Sequence, residues 1–168
     1  MSLPAVFLGL GSNLGDREAA ITGALDRLAA RGFRATLRSS LWLTEPVGGP
    51  PQGLFLNAVV GGETELSPEA LLEACLGTER EMGRVRAERN GPRPIDVDIL
   101  FYGSDRRDVP GLVVPHPRLH ERRFVLAPLA EVVPGLVHPV LGLTMADLLA
   151  RCADPSFVRL YAPAEARG

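Results

Sequence analysis

A short apolar run, Ala5 to Leu10, stops at a Gly/Ser/Asn/Gly cluster, the pattern of a buried strand entering a loop. From Asp16, a suitable N-cap, the apolar positions Ala20, Ile21, Ala24, Leu25 and Leu28 recur at helical spacing until Gly32. Phe33 to Thr44 then alternates as a strand does. The loop EPVGGPPQG separates it from a second strand-like stretch, Leu54 to Thr64, and the two are expected to lie side by side and antiparallel. Ser67 caps a second helix with Pro68 at its first position; Leu71, Leu72, Cys75, Leu76 and Met82 form its stripe, and Gly83 ends it. Pro94 to Tyr102 is a further strand. The order strand, helix, strand, strand, helix, strand predicts an α+β, ferredoxin-like (βαββαβ) antiparallel sheet with helices packed on one face and a C-terminal extension.

The remainder is expected to be a C-terminal extension. Residues 103–143 are rich in Pro, Gly, His and Arg, with a short strand at Leu112 to Val114; Thr144 to Cys152 reads as a last helix, Ser156 to Leu160 as an edge strand and Ala162 to Gly168 as a loose tail. No repeat or interdomain linker divides the chain, so residues 1–168 are expected to form a single domain.

Composition narrows the chemistry. A net charge of −2 and a pI near 5.9 argue against a general nucleic-acid binder, so any basic site must be local. All 18 basic residues are Arg, which excludes a P-loop lysine, a Schiff-base lysine and the phosphate lysine of protein kinases. Cys75 and Cys152 form no CxxC pair and have no histidines clustered around them, as expected of reduced packing residues. The N-terminus has no basic segment before its apolar run and no stretch is long enough to span a membrane; the expected location is the cytoplasm, with no membrane partner.

The sharpest local signal is Asp96-Val97-Asp98. In a strand Ile95, Val97 and Ile99 face the core, while Asp96 and Asp98 share the other face about 7 Å apart, a geometry suited to a hard divalent cation. Upstream, GRVRAERNGPRP sets Arg84, Arg86, Arg89 and Arg93 close together, and arginine forks match phosphate oxygens. Metal-holding acids beside phosphate-holding arginines form a nucleotide-transfer layout. Asn57, in an apolar strand and on the face of Phe55 and Val59, needs partners; they are backbone groups or the edge of a flat heterocycle. His116, followed by Arg118, Arg122, Arg123 and Phe124, is either a structural histidine or part of a second phosphate-binding segment. The stretch from Gly9 to Gly15 fails the dinucleotide spacing at Leu14 and reads as a turn motif that sets the helix entry.

FLGLGSNLGDR, TEPVGG followed by FLNAVV, GRVRAERNGPRPIDVDILFYG and VPHPRLHERRFVLAPLAEVVP, in this order, resemble the 6-hydroxymethyl-7,8-dihydropterin pyrophosphokinases of folate biosynthesis from about Val6 to Pro134. The resemblance implies a Mg²⁺-dependent enzyme, with two ions, that binds ATP and then the pterin; the pterin hydroxymethyl oxygen attacks the β-phosphorus and AMP leaves. It implies that Asp96 and Asp98 hold the metals, with Arg84 and Arg93 as further catalytic groups. Arg84, Arg86, Arg93, His116, Arg122 and Glu79 fall on the ATP side. Phe55 and Phe124 would sandwich the pterin, with Asn57, Thr44, Val47 and Asp96 along its polar edge. Asn90 departs from the pattern, since many members carry an aromatic before GPR. A monomer is expected, with an oligomer left open. The alternatives are a ferredoxin-like RNA-binding module using the arginine segment and strand aromatics, and a regulatory small-molecule-binding domain without chemistry. The acidic pI and the low aromatic content of 5% count against the first, and the paired aspartates against the second.

Overall fold

The computed structural model describes residues 5–47, 51–83 and 94–162. It is a mixed α/β fold with an antiparallel sheet and four α-helices among the described residues. Strand β1 (Ala5–Ser12) lies between β4 (Phe55–Thr64) and β5 (Asp96–Tyr102). The other edge of β4 is shared by β2 (Phe33–Arg38) and β3 (Leu41–Thr44), and β8 (Val158–Ala162) closes the sheet against β3.

Helices α1 (Arg17–Ala30) and α2 (Pro68–Glu81) begin where the sequence places them. The Asp16 carboxylate accepts from Ala19 N and the Ser67 hydroxyl from Ala70 N, both at 3.1 Å, each satisfying an amide that the first turn leaves open. Ile21, Ala24, Leu25, Leu28, Leu71 and Cys75 pack onto Leu8, Leu10, Ala58, Val60, Val97 and Ile99 of one sheet face.

Three expectations need correction. The alternating run Phe33 to Thr44 is not one strand: Ser39 and Ser40 break it into β2 and β3. Ser39 N donates to Val59 O and Ser39 Oγ accepts from Val59 N, so a side chain stands in for one ladder bond. Ser40 N and Oγ instead donate to the Glu131 carboxylate, which also accepts from Trp42 Nε1. Secondly, the segment 103–143 is more ordered than its Pro and Gly content suggests. It holds a hairpin, β6 (Arg107–Val109) and β7 (Leu112–Val114), turned at Pro110-Gly111 where Gly111 has φ +83°. It also holds a helix, α3 (Arg123–Val132).

Thirdly, the sheet carries helices on both faces. Val125, Leu126 and Leu129 of α3, with Met145 and Leu148 of α4 (Met145–Arg151), pack on Phe7, Val59, Leu100 and Phe101. The C-terminal segment anchors the start of α3: Arg123 N donates to Asp154 Oδ2 at 3.1 Å, and the Arg123 guanidinium donates to the carbonyls of Asp154 and Cys152. Of the expected tail, Ala162 ends β8 instead, and residues 163–168 lie outside the described residues. Among the described residues no helix is long and apolar enough to cross a membrane.

Burial alone would push the Asp154 carboxyl up, but hydrogen bonds from Ser156 and Arg123 hold it below the ordinary range. A carboxylate with a depressed folded pKa stabilises above its unfolded pKa and ceases to do so as pH falls through the folded value. Asp154→Asn should therefore cost about 1 kcal/mol at pH 7 in urea unfolding. The deficit should stay constant down to about pH 5 and close below about pH 4. A deficit that persists unchanged at pH 3 contradicts the assignment.

Candidate active site

The register of β1 against its two neighbours builds the site. Gly11 lies opposite Asn57 of β4 on one side and Asp96 of β5 on the other; Gly9 lies opposite Val59 and Asp98. Alternation puts all of these, with Phe55, on the face that α3 and α4 cover further along. The helices cover the end of that face at Phe7 and Phe101, and among the described residues they do not cover the end carrying Asn57, Asp96 and Asp98. Thr44 and Val47, at and beyond the end of β3, and Arg122 and Phe124, at the start of α3, wall a pocket over it together with Phe55. Eight expected site residues, Thr44, Val47, Phe55, Asn57, Asp96, Asp98, Arg122 and Phe124, thus meet around one pocket.

Asn57 is buried, and its Nδ2 donates to Thr44 Oγ1 at 2.6 Å. The Arg122 guanidinium lies 5.7 Å from the centre of the Phe124 ring, within reach of a cation–π contact. Sequence reasoning missed Gln52, which also lines the pocket and is held by Asn13 Nδ2 at 2.8 Å. It also misread the glycine segment. β1 runs to Ser12, so Gly9 and Gly11 are strand residues on the site face rather than part of a turn; a glycine inside an apolar strand signals close approach by another group.

The two aspartates do not sit comfortably together. Burial pushes the Asp98 carboxyl well above the usual carboxylate range, the charge of Asp96 and a hydrogen bond between the two carboxyls push it further, and Glu79 adds to this. The Arg122 guanidinium opposes the shift without cancelling it. A divalent cation would relieve this repulsion, and paired carboxylate oxygens are the donor set of a hard ion, so the residues fit Mg²⁺. Among the described residues no group of three or more His, Cys, Asp or Glu side chains converges as a metal site, so the remaining ligands would be water and substrate oxygens.

A second, larger cleft of about 450 Å³ shares Asp96, Asp98 and Arg122 with the first pocket. Leu72 and Leu76 of α2 and Leu112 of β7 give it apolar walls, and Glu79 and His116 line it as well. Glu79 is buried, and its Oε2 accepts from Val97 N at 2.8 Å; among the described residues β5 is an edge strand, and this carboxylate satisfies an amide on the side away from β1. Burial and then the Arg122 charge depress His116 to about 4, so its imidazole is neutral at pH 7. Arg118 N donates to His116 Nδ1 at 3.2 Å, which leaves the proton on Nε2 as a donor. Arg84, Arg86 and Arg93, on the segment between α2 and β5, lie outside the described residues.

Residues 7–134 match the family model described as 7,8-dihydro-6-hydroxymethylpterin-pyrophosphokinase (HPPK). The chain is 48% identical over 151 residues to the 2-amino-4-hydroxy-6-hydroxymethyldihydropteridine pyrophosphokinase of Methylorubrum extorquens, covering 89% of this chain and 94% of that one. It is 39% identical over 142 residues to the enzyme of the same name from Synechocystis, covering 84% and 73%. A crystal structure of Plasmodium falciparum HPPK-DHPS with pterin and p-hydrobenzoate shares the fold at a TM-score of 0.69 and 16% identity; the match covers 89% of this chain and 44% of that longer one. With the family model spanning most of the chain and close relatives matched over nearly their full length, the chain belongs to the 7,8-dihydro-6-hydroxymethylpterin-pyrophosphokinase family.

Proposed function

We propose that this pyrophosphokinase transfers the terminal pyrophosphoryl group of ATP to the hydroxymethyl oxygen of 6-hydroxymethyl-7,8-dihydropterin in folate biosynthesis. A carbon–oxygen–phosphorus link forms, the bond between the α-phosphate's bridging oxygen and the β-phosphorus breaks, the hydroxyl proton is released and AMP departs. One observation carries this reading: two pockets of different character meet at the same three groups, Asp96, Asp98 and Arg122. The smaller pocket, with Phe55 and Phe124 for stacking and the Asn57 amide at its floor, suits a flat polar-edged heterocycle. The larger cleft, with apolar walls on α2 and β7 and the His116 donor, suits a nucleotide.

In this reading Phe55 and Phe124 hold the pterin ring, and Asn57, Thr44 and Val47 orient its polar edge. His116 donates from a neutral ring to a phosphate oxygen, Arg122 adds charge where the two substrates meet, and Glu79 keeps β5 in place along the ATP cleft. Arg84, Arg86 and Arg93 complete the phosphate contacts, as the family resemblance implies. Asp96 and Asp98 would hold Mg²⁺, two ions in this reading. When bound, Mg²⁺ supplies neutralisation of the charge on the phosphates. The protein's contribution is positioning and charge stabilisation, the terms that dominate phosphoryl transfer. We assign the sheet formed by β1, β2 with β3, β4 and β5 to the ferredoxin-like arrangement, with α3, α4 and β8 as its extension. The free thiols of Cys75 and Cys152 fit a reducing cytoplasmic setting.

The direct test is incubation with Mg-ATP and 6-hydroxymethyl-7,8-dihydropterin, followed by ³¹P NMR and chromatography. AMP should appear in step with a pyrophosphorylated pterin. Formation of ADP, or nucleotide turnover independent of the pterin, contradicts the reading.

Asp98→Asn separates function from stability. Turnover should fall at least about a hundredfold, because half of the metal-holding pair is gone. In EDTA at neutral pH the same variant should melt about 2–4 °C higher than the parent, since it removes a carboxyl whose charged form is penalised by burial and by Asp96. A variant with normal turnover, or one that is destabilised in EDTA, contradicts the role given to the pair.

A further inference from the structure

Gly11 is the bare position in the row Asn57–Gly11–Asp96. A Cβ there would stand 2.5 Å from Asn57 Oδ1, closer than real Cβ atoms come to a neighbour, with Asn57 Cγ and Phe55 Cδ1 each at 3.5 Å. At Gly9, two residues earlier on the same face, the nearest atoms to a Cβ would be those of the Leu100 side chain, at 3.5 Å and beyond, which is ordinary contact. The backbone at Gly11 is not in the left-handed region, so conformation does not demand glycine there. A glycine inside a strand gives up side-chain packing and costs conformational entropy. The Asn57 amide accounts for it: with Nδ2 tied to Thr44 Oγ1 at 2.6 Å, its oxygen lies over β1, on the side of Asp96.

We propose that Gly11 is a positioning residue that determines specificity for the heterocycle. Its missing side chain is the space in which the Asn57 amide lies, and a side chain there would swing the amide out of the plane in which Oδ1 faces a ligand N–H or amino group. The proposal rests on reading the smaller pocket as the pterin site. Gly11 acts through Asn57, so its effect falls on the heterocycle and spares the nucleotide, whose cleft it does not line.

The test is a double-mutant cycle of Gly11→Ala, Asn57→Ala and the double variant. Binding of 6-hydroxymethyl-7,8-dihydropterin is measured by calorimetry in the presence of Mg²⁺ and α,β-methylene-ATP, and binding of the nucleotide analogue alone is measured separately. Gly11→Ala should weaken pterin binding at least about tenfold while nucleotide affinity stays within about twofold. The double variant should bind pterin as Asn57→Ala does, because the clashing oxygen is already gone. Wild-type pterin affinity in Gly11→Ala, losses that multiply in the double variant, or equal losses for both ligands overturn the proposal. If Asn57→Ala keeps full pterin affinity, the pterin reading of the pocket fails, and the proposal with it. Should Gly11→Ala fail to fold, the Asn57→Ala background should restore folding, and absence of that rescue overturns the proposal as well.

Discussion

The register of β1 between β4 and β5 is the constraint on which the site depends. Strand side chains alternate, so a slip of one residue would turn Asn57 or the aspartates into the core and bring Leu10 or Val97 into the pocket. The eight pairs from Ala5 to Ser12 against β4 run without interruption. The pairing with β5 shifts once, between Phe7 and Leu8, and the unpaired residue on β5 is Leu100. That irregularity lies beyond Gly9–Asp98 and Gly11–Asp96, so the site end of the ladder is regular, and Leu100 is delivered to the core beneath α3.

From this follows a division of one sheet face between packing and chemistry. Phe7, Val59 and Phe101 bury against α3 and α4, which stabilises the fold in the ordinary apolar way. The remainder of the same face keeps polar groups with imperfectly balanced charge, and the Asp96–Asp98 pair shows the cost most clearly. Proteins commonly carry such local instability where ligands bind, because a group already satisfied within the fold has little left to offer a substrate. The start of α3 joins the two halves. Arg122 and Phe124 wall the pocket while Val125 and Leu126 enter the core, and the Asp154 anchor and the Glu131 contacts to Ser40 and Trp42 fix that helix against the sheet.

Much of this was legible in the chain. The caps Asp16 and Ser67-Pro68, the apolar stripes of α1 and α2 and the alternation around Asp96-Val97-Asp98 are local signals, and each corresponds to a local structural cause. The odd polar Asn57 in an apolar strand also pointed to the pocket. What sequence reading lost depended on distant partners. The Ser39-Ser40 break is stabilised by Val59 and Glu131, far along the chain. Helix α3 was masked by Pro128 within it and by surrounding Pro, His and Arg; its apolar side is satisfied by the second sheet face, which six-element reasoning left bare. Gly11 looked like punctuation because its neighbour across the strand cannot be read from spacing. Arg84, Arg86 and Arg93 lie outside the described residues, and their phosphate role rests on their spacing beside the aspartates and on the family resemblance.

We place the heterocycle, by this proposal, over the Asn57–Gly11–Asp96 row, between Phe55 and Phe124. Intermolecular NOEs measured on the protein with Mg²⁺, α,β-methylene-ATP and 6-hydroxymethyl-7,8-dihydropterin test it directly. NOEs are expected from the pterin C7 and hydroxymethyl protons to the rings of both Phe55 and Phe124. Contacts to Leu72, Leu76 and Leu112 in place of those rings would contradict it.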